Sequence, residues 1–196
     1  GTDLYKQVTV LDVVNAPGKD FNYQSCCTQL LSIIIEKATG QTLSQFASEN
    51  IWKPVHAMHG AEWSLDHENG IEKAYCCFYS NARDFARIGD LYYHQGNWRG
   101  TQVVDSAWVK ESITPAPLND EGEPNTVYGY QWWMNDYNGT HIFNCRGLNG
   151  QYVVCIPDQH IIFVRLGHKR AKAEDGKLLD LPVYVQETLN WVKAAQ

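Results

Sequence analysis

The spacing of hydrophobic residues changes once along this chain of 196 residues. In the N-terminal part, apolar residues recur every three or four positions, whereas from Tyr128 onward apolar and polar residues alternate. A period near 3.6 indicates helices with one buried side, and a period of two indicates strands. The pattern therefore predicts helices first, strands after them, and one closing helix beyond Asp180.

The first strong helical pattern covers residues 26–39. Leu30, Leu31, Ile34 and Ile35 share one side of it, with Ser25 as its predicted N-cap and Gly40 as its stop. Three further helices are predicted before the strands: Thr42 to Ile51 with a capping box, Ser80 to Gly96, and Ser106 to Ile113 capped by Asp105. Residues 1–20 have no clear period, and residues 55–79 indicate a long covering loop.

The alternating part contains four predicted strands. They cover residues 128–134, 140–145, 151–156 and 160–166. Asn138-Gly139 predicts a type I′ hairpin, and Pro157-Asp158 predicts a turn. The last helix starts at a capping Asp180, with Pro182 in its first turn.

This order predicts an α+β fold with a helical region, residues 1–125, followed by an antiparallel sheet and closing helix, residues 126–196. With only four strands and a single closing helix, we expect one face or one edge of the sheet to be incompletely covered by the chain.

Charge and composition narrow the range of partners. The net charge is −6 and Lys and Arg form no run, which argues against nucleic acid or an anionic membrane surface. No apolar run approaches the ~20 residues of a membrane span. We expect neither a cofactor nor a metal, and we interpret His56, His59 and His67 as residues of a solvated loop.

The six cysteines are arranged as Cys26-Cys27, Cys76-Cys77, Cys145 and Cys155. Neighbouring cysteines rarely bond each other, and the spacing fits no zinc template. Small buried side chains are the favoured interpretation, and a disulfide between residues 26/27 and 76/77 stays open as an alternative.

Two short segments carry groups suited to chemistry. Tyr23-Gln24-Ser25 lies directly before the first helix, where a tyrosine with a lowered pKa can act as a base for a serine. A capping serine beside a packed aromatic residue explains the same segment. Gly147-Leu148-Asn149-Gly150-Gln151 joins two predicted strands and suits either a hairpin or bulge, or a site that a ligand approaches closely.

Five strings, taken together and in order, resemble the serine β-lactamase-related hydrolases of the class C and penicillin-binding type. The branch with esterases and the 6-aminohexanoate-dimer hydrolase is the most similar. The strings are Phe21-Asn22-Tyr23-Gln24-Ser25, Ile51-Trp52-Lys53-Pro54, Ser80 to Arg87, Tyr128 to Trp133, and Gly147 to Gln151.

This resemblance implies roles for individual residues. Tyr23 would be the tyrosine of the family's Tyr-x-Asn/Ser motif, which moves protons to and from the nucleophile and the leaving group, and Ser25 would be its third residue. Leu148, Asn149 and Gly150 would stand for the Lys-Thr-Gly strand motif. The backbone N–H of Gln151 would then be half of an oxyanion hole.

The chain departs from the family pattern at two points. Leu148 replaces the cation that meets a β-lactam carboxylate, which favours an ester or amide substrate. Arg146 lies two residues earlier and is a weaker candidate for that contact, and Trp133 is a candidate wall of the cleft or simply one face of a strand. No Ser in the sequence is followed by Lys three positions later, so the Ser-x-x-Lys nucleophile is missing.

The sequence therefore predicts the C-terminal part of a β-lactamase/transpeptidase-like serine hydrolase, inactive by itself, without the N-terminal strands and the nucleophile helix. The alternative is a non-catalytic interaction module. Since strand 160–166 pairs with an N-terminal strand in the family, we expect another copy or a companion fragment to cover its edge. Family resemblance alone indicates a periplasmic or secreted protein.

Overall fold

The structure, a computed structural model, describes residues 3–171 and 178–195. It has six α-helices in the described ranges: α1 Leu4–Thr9, α2 Ser25–Thr39, α3 Leu43–Ala47, α4 Ala82–Tyr93, α5 Ser106–Ser112 and α6 Asp180–Ala194. A π-helical turn, Ser48–Trp52, continues α3. None of these helices combines the length and apolar character that a membrane crossing needs.

Of the ten strands in the described residues, six form three small two-stranded ladders. They are β1 Glu62–Trp63 with β2 Phe78–Tyr79, β3 Asn97–Trp98 with β4 Thr101–Gln102, and β5 Asn119–Asp120 with β6 Glu123–Pro124. The other four make the antiparallel main sheet: β7 Trp133–Tyr137, β8 Thr140–Arg146, β9 Tyr152–Ile156 and β10 Ile161–Arg165. Its order is β10-β9-β8-β7, so β10 is an edge strand among the described residues.

Alternation along the strands separates two apolar layers. Ile142, Tyr152, Val154 and Ile156 form one cluster with the buried residues of α6. On the opposite face, the second cluster packs against α4 and is built by residues of β7 to β9 and by Trp132, which precedes β7. Its buried members are Trp132, Met134, Phe143 and Cys155. Side chains along a strand point alternately to the two faces of the sheet, and each face of this sheet packs against a helix. Both faces are therefore apolar in the middle of the sheet.

Most predicted boundaries are confirmed by local geometry. Gly40 is a left-handed C-cap, and Thr42 with Gln45 forms the capping box. Asp105 caps α5 through the N–H groups of Ala107 and Trp108. Asn138 and Gly139 both have positive φ, as a type I′ hairpin requires. The fold class is confirmed as α+β, and the division at residue 125 stays a prediction.

Several local predictions were wrong. Ser25 is the first residue of α2, and the N-cap is Gln24, whose side chain makes no capping bond. Asp180 likewise begins α6 after Leu179 instead of capping it. The first main strand starts at Trp133 and not at Tyr128, because Gln131 adopts a φ of +67°, which breaks an extended run.

The cysteine prediction also needs correction. The neighbours Cys76 and Cys77 form a disulfide, whereas Cys26 and Cys27 are free thiols, so the 26/27-to-76/77 pairing is not formed. In addition, residues 1–20, which showed no period, contain helix α1, capped by Asp3.

Candidate active site

Tyr23 lies on the segment that enters α2. The segment is held by a hydrogen bond from the N–H of Phe21 to the carbonyl of Asn119 at 2.6 Å. The Tyr23 ring meets Tyr128 edge-on at 5.7 Å between centroids and lies 5.2 Å from the ring of Trp133. About half of Tyr23 is exposed, so its hydroxyl group is available for chemistry while its ring is anchored.

Tyr128 and Phe21 complete this aromatic cluster. Their rings stack at 4.9 Å, and Tyr128 meets Trp133 at 4.7 Å. Burial, followed by the nearby Tyr23, raises the pKa of Tyr128 well above its ordinary value, so Tyr128 remains protonated and acts as a wall. The stacking of Phe21 on Tyr128 was not predicted, because in the sequence Phe21 is only the first residue of the string around Tyr23.

Arg146, the last residue of β8, extends the cluster. Its guanidinium carbon lies 3.4 Å from the ring centroid of Trp133, which is stacking contact. Burial lowers the pKa of Arg146 to about 10, against the opposing effect of the neighbouring Tyr137 and Tyr152. The group stays charged at neutral pH.

The turn after Arg146 is a tight three-residue hairpin. The N–H of Gly150 donates to the carbonyl of Gly147 at 3.2 Å, and the N–H of Gly147 donates to the carbonyl of Gln151 at 2.8 Å. Gly150 has a φ of +79°, the left-handed position of such a loop. Of the two predictions left open for this segment, the hairpin is present, and its presence does not exclude a site.

Side chains lock this turn to the end of β10. The amide of Gln151 accepts from the N–H of Asn149 at 3.1 Å and donates to the carbonyl of Gly167. The guanidinium of Arg165 donates to the carbonyl of Gly150. In the described part of the chain, the N–H groups of Leu148 and Gln151 have no acceptor, so both are free to bind a ligand.

The structure brings together some of the predicted site residues and separates others. Tyr23, Trp133 and Arg146 form one cluster, and the turn 147–151 follows it directly in the chain. Ser25 instead lines an open cavity of about 520 Å³ between α1 and α2. Leu148 is largely exposed, and Trp132, the neighbour of Trp133 in the chain, lies in the core on the α4 side of the sheet.

Two of the histidines in the predicted loop of residues 55–79 pair with aspartates. His59 pairs with Asp84 at 3.1 Å, and His67 pairs with Asp66 at 2.9 Å. Within the two described ranges, no group of three or more His, Cys, Asp or Glu side chains is arranged to hold a metal.

Comparison with known proteins places this geometry in context. The family model described as Beta-lactamase matches residues 2–183. The 6-aminohexanoate-dimer hydrolase of Paenarthrobacter ureafaciens is 28% identical over 171 residues, which is 84% of this chain and 43% of that protein.

Solved structures agree on the fold. A Bacillus anthracis protein assigned as a 6-aminohexanoate-dimer hydrolase superposes with a TM-score of 0.77 at 24% identity, covering 98% of this chain and 48% of its own. A penicillin-binding protein homologue from Caulobacter crescentus gives a TM-score of 0.66 at 14% identity, with coverages of 89% and 60%. The chain thus spans about half the length of the first relatives that it matches. Since the family model covers nearly all of these residues, the chain belongs to the beta-lactamase family.

Proposed function

We propose that these residues form part of the active site of a serine hydrolase that cleaves an ester or amide by acyl transfer. The observation that carries the proposal is the cluster of Tyr23, Trp133 and Arg146, which joins two distant motifs beside a turn with free amides. The Paenarthrobacter relative is a 6-aminohexanoate-dimer hydrolase, and this similarity favours an amide substrate.

In this proposal Tyr23 accepts the proton of the attacking hydroxyl group and returns it to the leaving group. The N–H of Gln151 donates to the developing oxyanion, and Asn149 and Gly150 line the acyl group. Ser25 contacts the substrate only if the cleft extends towards α1, because its side chain lies on that cavity. The exposed Leu148 provides no cation for a β-lactam carboxylate.

The nucleophile is proposed to lie outside these residues. None of the serines in the sequence has Lys three positions later, and the chain spans only about half of its relatives. We therefore expect the 196-residue chain alone to be inactive, and the protein expressed from its complete reading frame to be active.

Replacing Tyr23 by Phe in that complete protein tests the role of the hydroxyl group. We expect kcat for p-nitrophenyl butyrate and for an anilide to fall by roughly 10²-fold or more, because proton transfer at the reacting centre is lost. Tyr130→Phe is the matched control, since Tyr130 is also partly exposed but stacks on Trp108 away from the cluster. Unchanged turnover by Y23F, or robust turnover by the 196-residue chain alone, contradicts the proposal.

A second candidate function is a non-catalytic module that binds another chain. Two observations favour it: the described strand β10 is an edge, and the apolar side of α2 is exposed at Leu30, Leu31 and Ile34. A second copy or a companion fragment would cover these surfaces. The absence of any hydrolysis by the complete protein, together with a stable assembly, would favour this function over catalysis.

A further inference from the structure

We propose that Arg146, stacked on Trp133, is a binding site for a carboxylate group of the ligand. The proposal rests on the function proposed above and narrows its substrate class to esters or amides that carry a free acid. The position that carries the family's cation is occupied here by Leu148. The proposed cation is instead Arg146, the last residue of β8, which lies against the aromatic cluster.

The charge of Arg146 is not neutralised by the described part of the protein. Among residues 3–171 and 178–195, no carboxylate lies within ion-pair distance of it, and its guanidinium makes no hydrogen bond there. A cation that is partly withdrawn from water without a partner loses hydration, and an anion restores that loss. Arg146 remains half-buried and not sealed, so a small solute can reach it.

Stacking prepares the guanidinium for this role. At 3.4 Å from the ring centroid, the group lies against the face of Trp133. The N–H donors of a guanidinium lie in its plane, so stacking on a ring leaves them free for a bidentate contact with a carboxylate. Trp133 also contacts Tyr23, which places the proposed anion site beside the proposed base.

The surrounding charges favour an anion as well. Arg170 is close enough to lower the pKa of Arg146, so two cations face the same region. Asp180, at the start of α6, accepts a hydrogen bond from Tyr152 at 2.9 Å, and no hydrogen bond or ion pair joins it to Arg146 among the described residues. Burial raises the pKa values of the neighbouring Tyr137 and Tyr152, so neither adds a negative charge to this region.

Binding of hexanoate, compared with neutral hexanamide of similar size, tests the proposal on the 196-residue chain. We expect hexanoate to bind at least about 10-fold more tightly in calorimetry, and to shift the side-chain N–H resonance of Arg146 in NMR spectra. Arg146→Gln should remove the difference between the two probes, and Arg146→Lys should keep only part of it. Arg83→Gln, on the exposed start of α4, is the control and should retain the full difference.

Several outcomes would overturn the proposal. Equal affinity for both probes, or an R146Q variant that still prefers hexanoate, shows that Arg146 is only a packing residue. The sequence also holds Glu174 and Asp175; if the parent chain ignores hexanoate while E174Q/D175N binds it, the chain itself supplies the anion and the proposal fails. R146K guards against loss of folding in R146Q.

The measurement separates this proposal from the function on which it rests. Binding at equilibrium needs neither a nucleophile nor the Tyr23 hydroxyl group, so Y23F should lose turnover and keep its preference for hexanoate. If catalysis fails while hexanoate is still preferred, Arg146 remains an anion site and the proposed hydrolase function is wrong. If catalysis is found but hexanoate and hexanamide bind equally, only the proposed carboxylate site is wrong.

Discussion

At the scale of single residues, Asp84 is the most heavily bonded carboxylate of the described chain. It is fully buried and accepts from the N–H groups of Met58 and His59 at 2.9 and 3.0 Å. Asn81 and Arg87 donate to it at 2.6 and 3.2 Å. Asp84 therefore ties the start of α4 to the preceding loop, and with it the helix that supports one face of the sheet.

Replacing Asp84 by Asn should destabilise the protein by about 3 kcal/mol at pH 7, because buried donors lose a charged acceptor. Burial raises the pKa of Asp84, but hydrogen bonds from Met58, Asn81 and His59 outweigh it and hold the pKa at about 2 instead of 3.8. A lowered folded-state pKa adds stability above pH 3.8 that is lost as the pH falls towards 2.

Urea unfolding at pH 7 and pH 3 measures both effects, and the gap between parent and D84N should narrow at the lower pH. Asp136→Asn is the control, because Asp136 and its partner His141 are exposed and such pairs contribute little. A loss of stability in D84N no larger than that in D136N would show that the network around Asp84 is not holding the loop.

At the scale of elements, the turn after β8 depends on Gly150. Its φ is +79°, and a Cβ atom there would collide with the guanidinium of Arg165. Gly139 offers a matched comparison, since its φ is +80° but a Cβ atom would meet nothing within 4 Å. The two positions share backbone strain and differ in crowding.

We therefore expect Gly139→Ala to cost about 1 kcal/mol, from left-handed backbone strain alone. Gly150→Ala should cost at least about 1 kcal/mol more, because Arg165 must leave the carbonyl of Gly150 as well. Chemical unfolding of both variants measures the difference. Equal losses would mean that Arg165 moves aside freely and does not fix the turn.

The elements were more predictable from sequence than their orientation. Local signals such as the Thr42 capping box and Asn138-Gly139 act between neighbouring residues, so they predicted boundaries correctly. In α2 the apolar spacing predicted the helix, yet its buried side holds Gln29 and Ser32. The Gln29 amide donates to the carbonyl of Glu72 and accepts from the N–H of Ala74, and these distant partners leave no trace in a local pattern.

The candidate site shows the same limit. The motifs predicted Tyr23 and the turn 147–151 as functional, and the structure places Tyr23 against Trp133 with Arg146 beyond it. Strand alternation made Arg146 a weak candidate, because side chains point to the opposite face of the sheet at each step along a strand. It says nothing about stacking on a ring from the adjacent strand β7, which is what sets the direction of the guanidinium.

At the scale of the whole molecule, one apolar surface lies outside both cores. On α2, Leu30, Leu31 and Ile34 are 42%, 45% and 50% exposed. The segment after α1 adds exposed valines and a leucine, with Val13 and Val14 above 80%. Exposed apolar side chains in such number are typical of a contact with another segment or chain.

We expect the isolated 196-residue chain to self-associate and to bind the dye ANS, because the apolar side of α2 is exposed. Leu31→Lys with Ile34→Lys should lower both signals by removing apolar surface. Glu36→Lys changes the net charge by the same two units on the same helix but removes no apolar side chain, so it should leave both signals high. Light scattering and dye fluorescence report the outcome. A parent chain that is monomeric and does not bind the dye would show that the exposed side of α2 is tolerated in water. That result would weaken the interaction-module function and leave the catalytic one untouched, because the proposed chemistry does not involve the exposed side of α2.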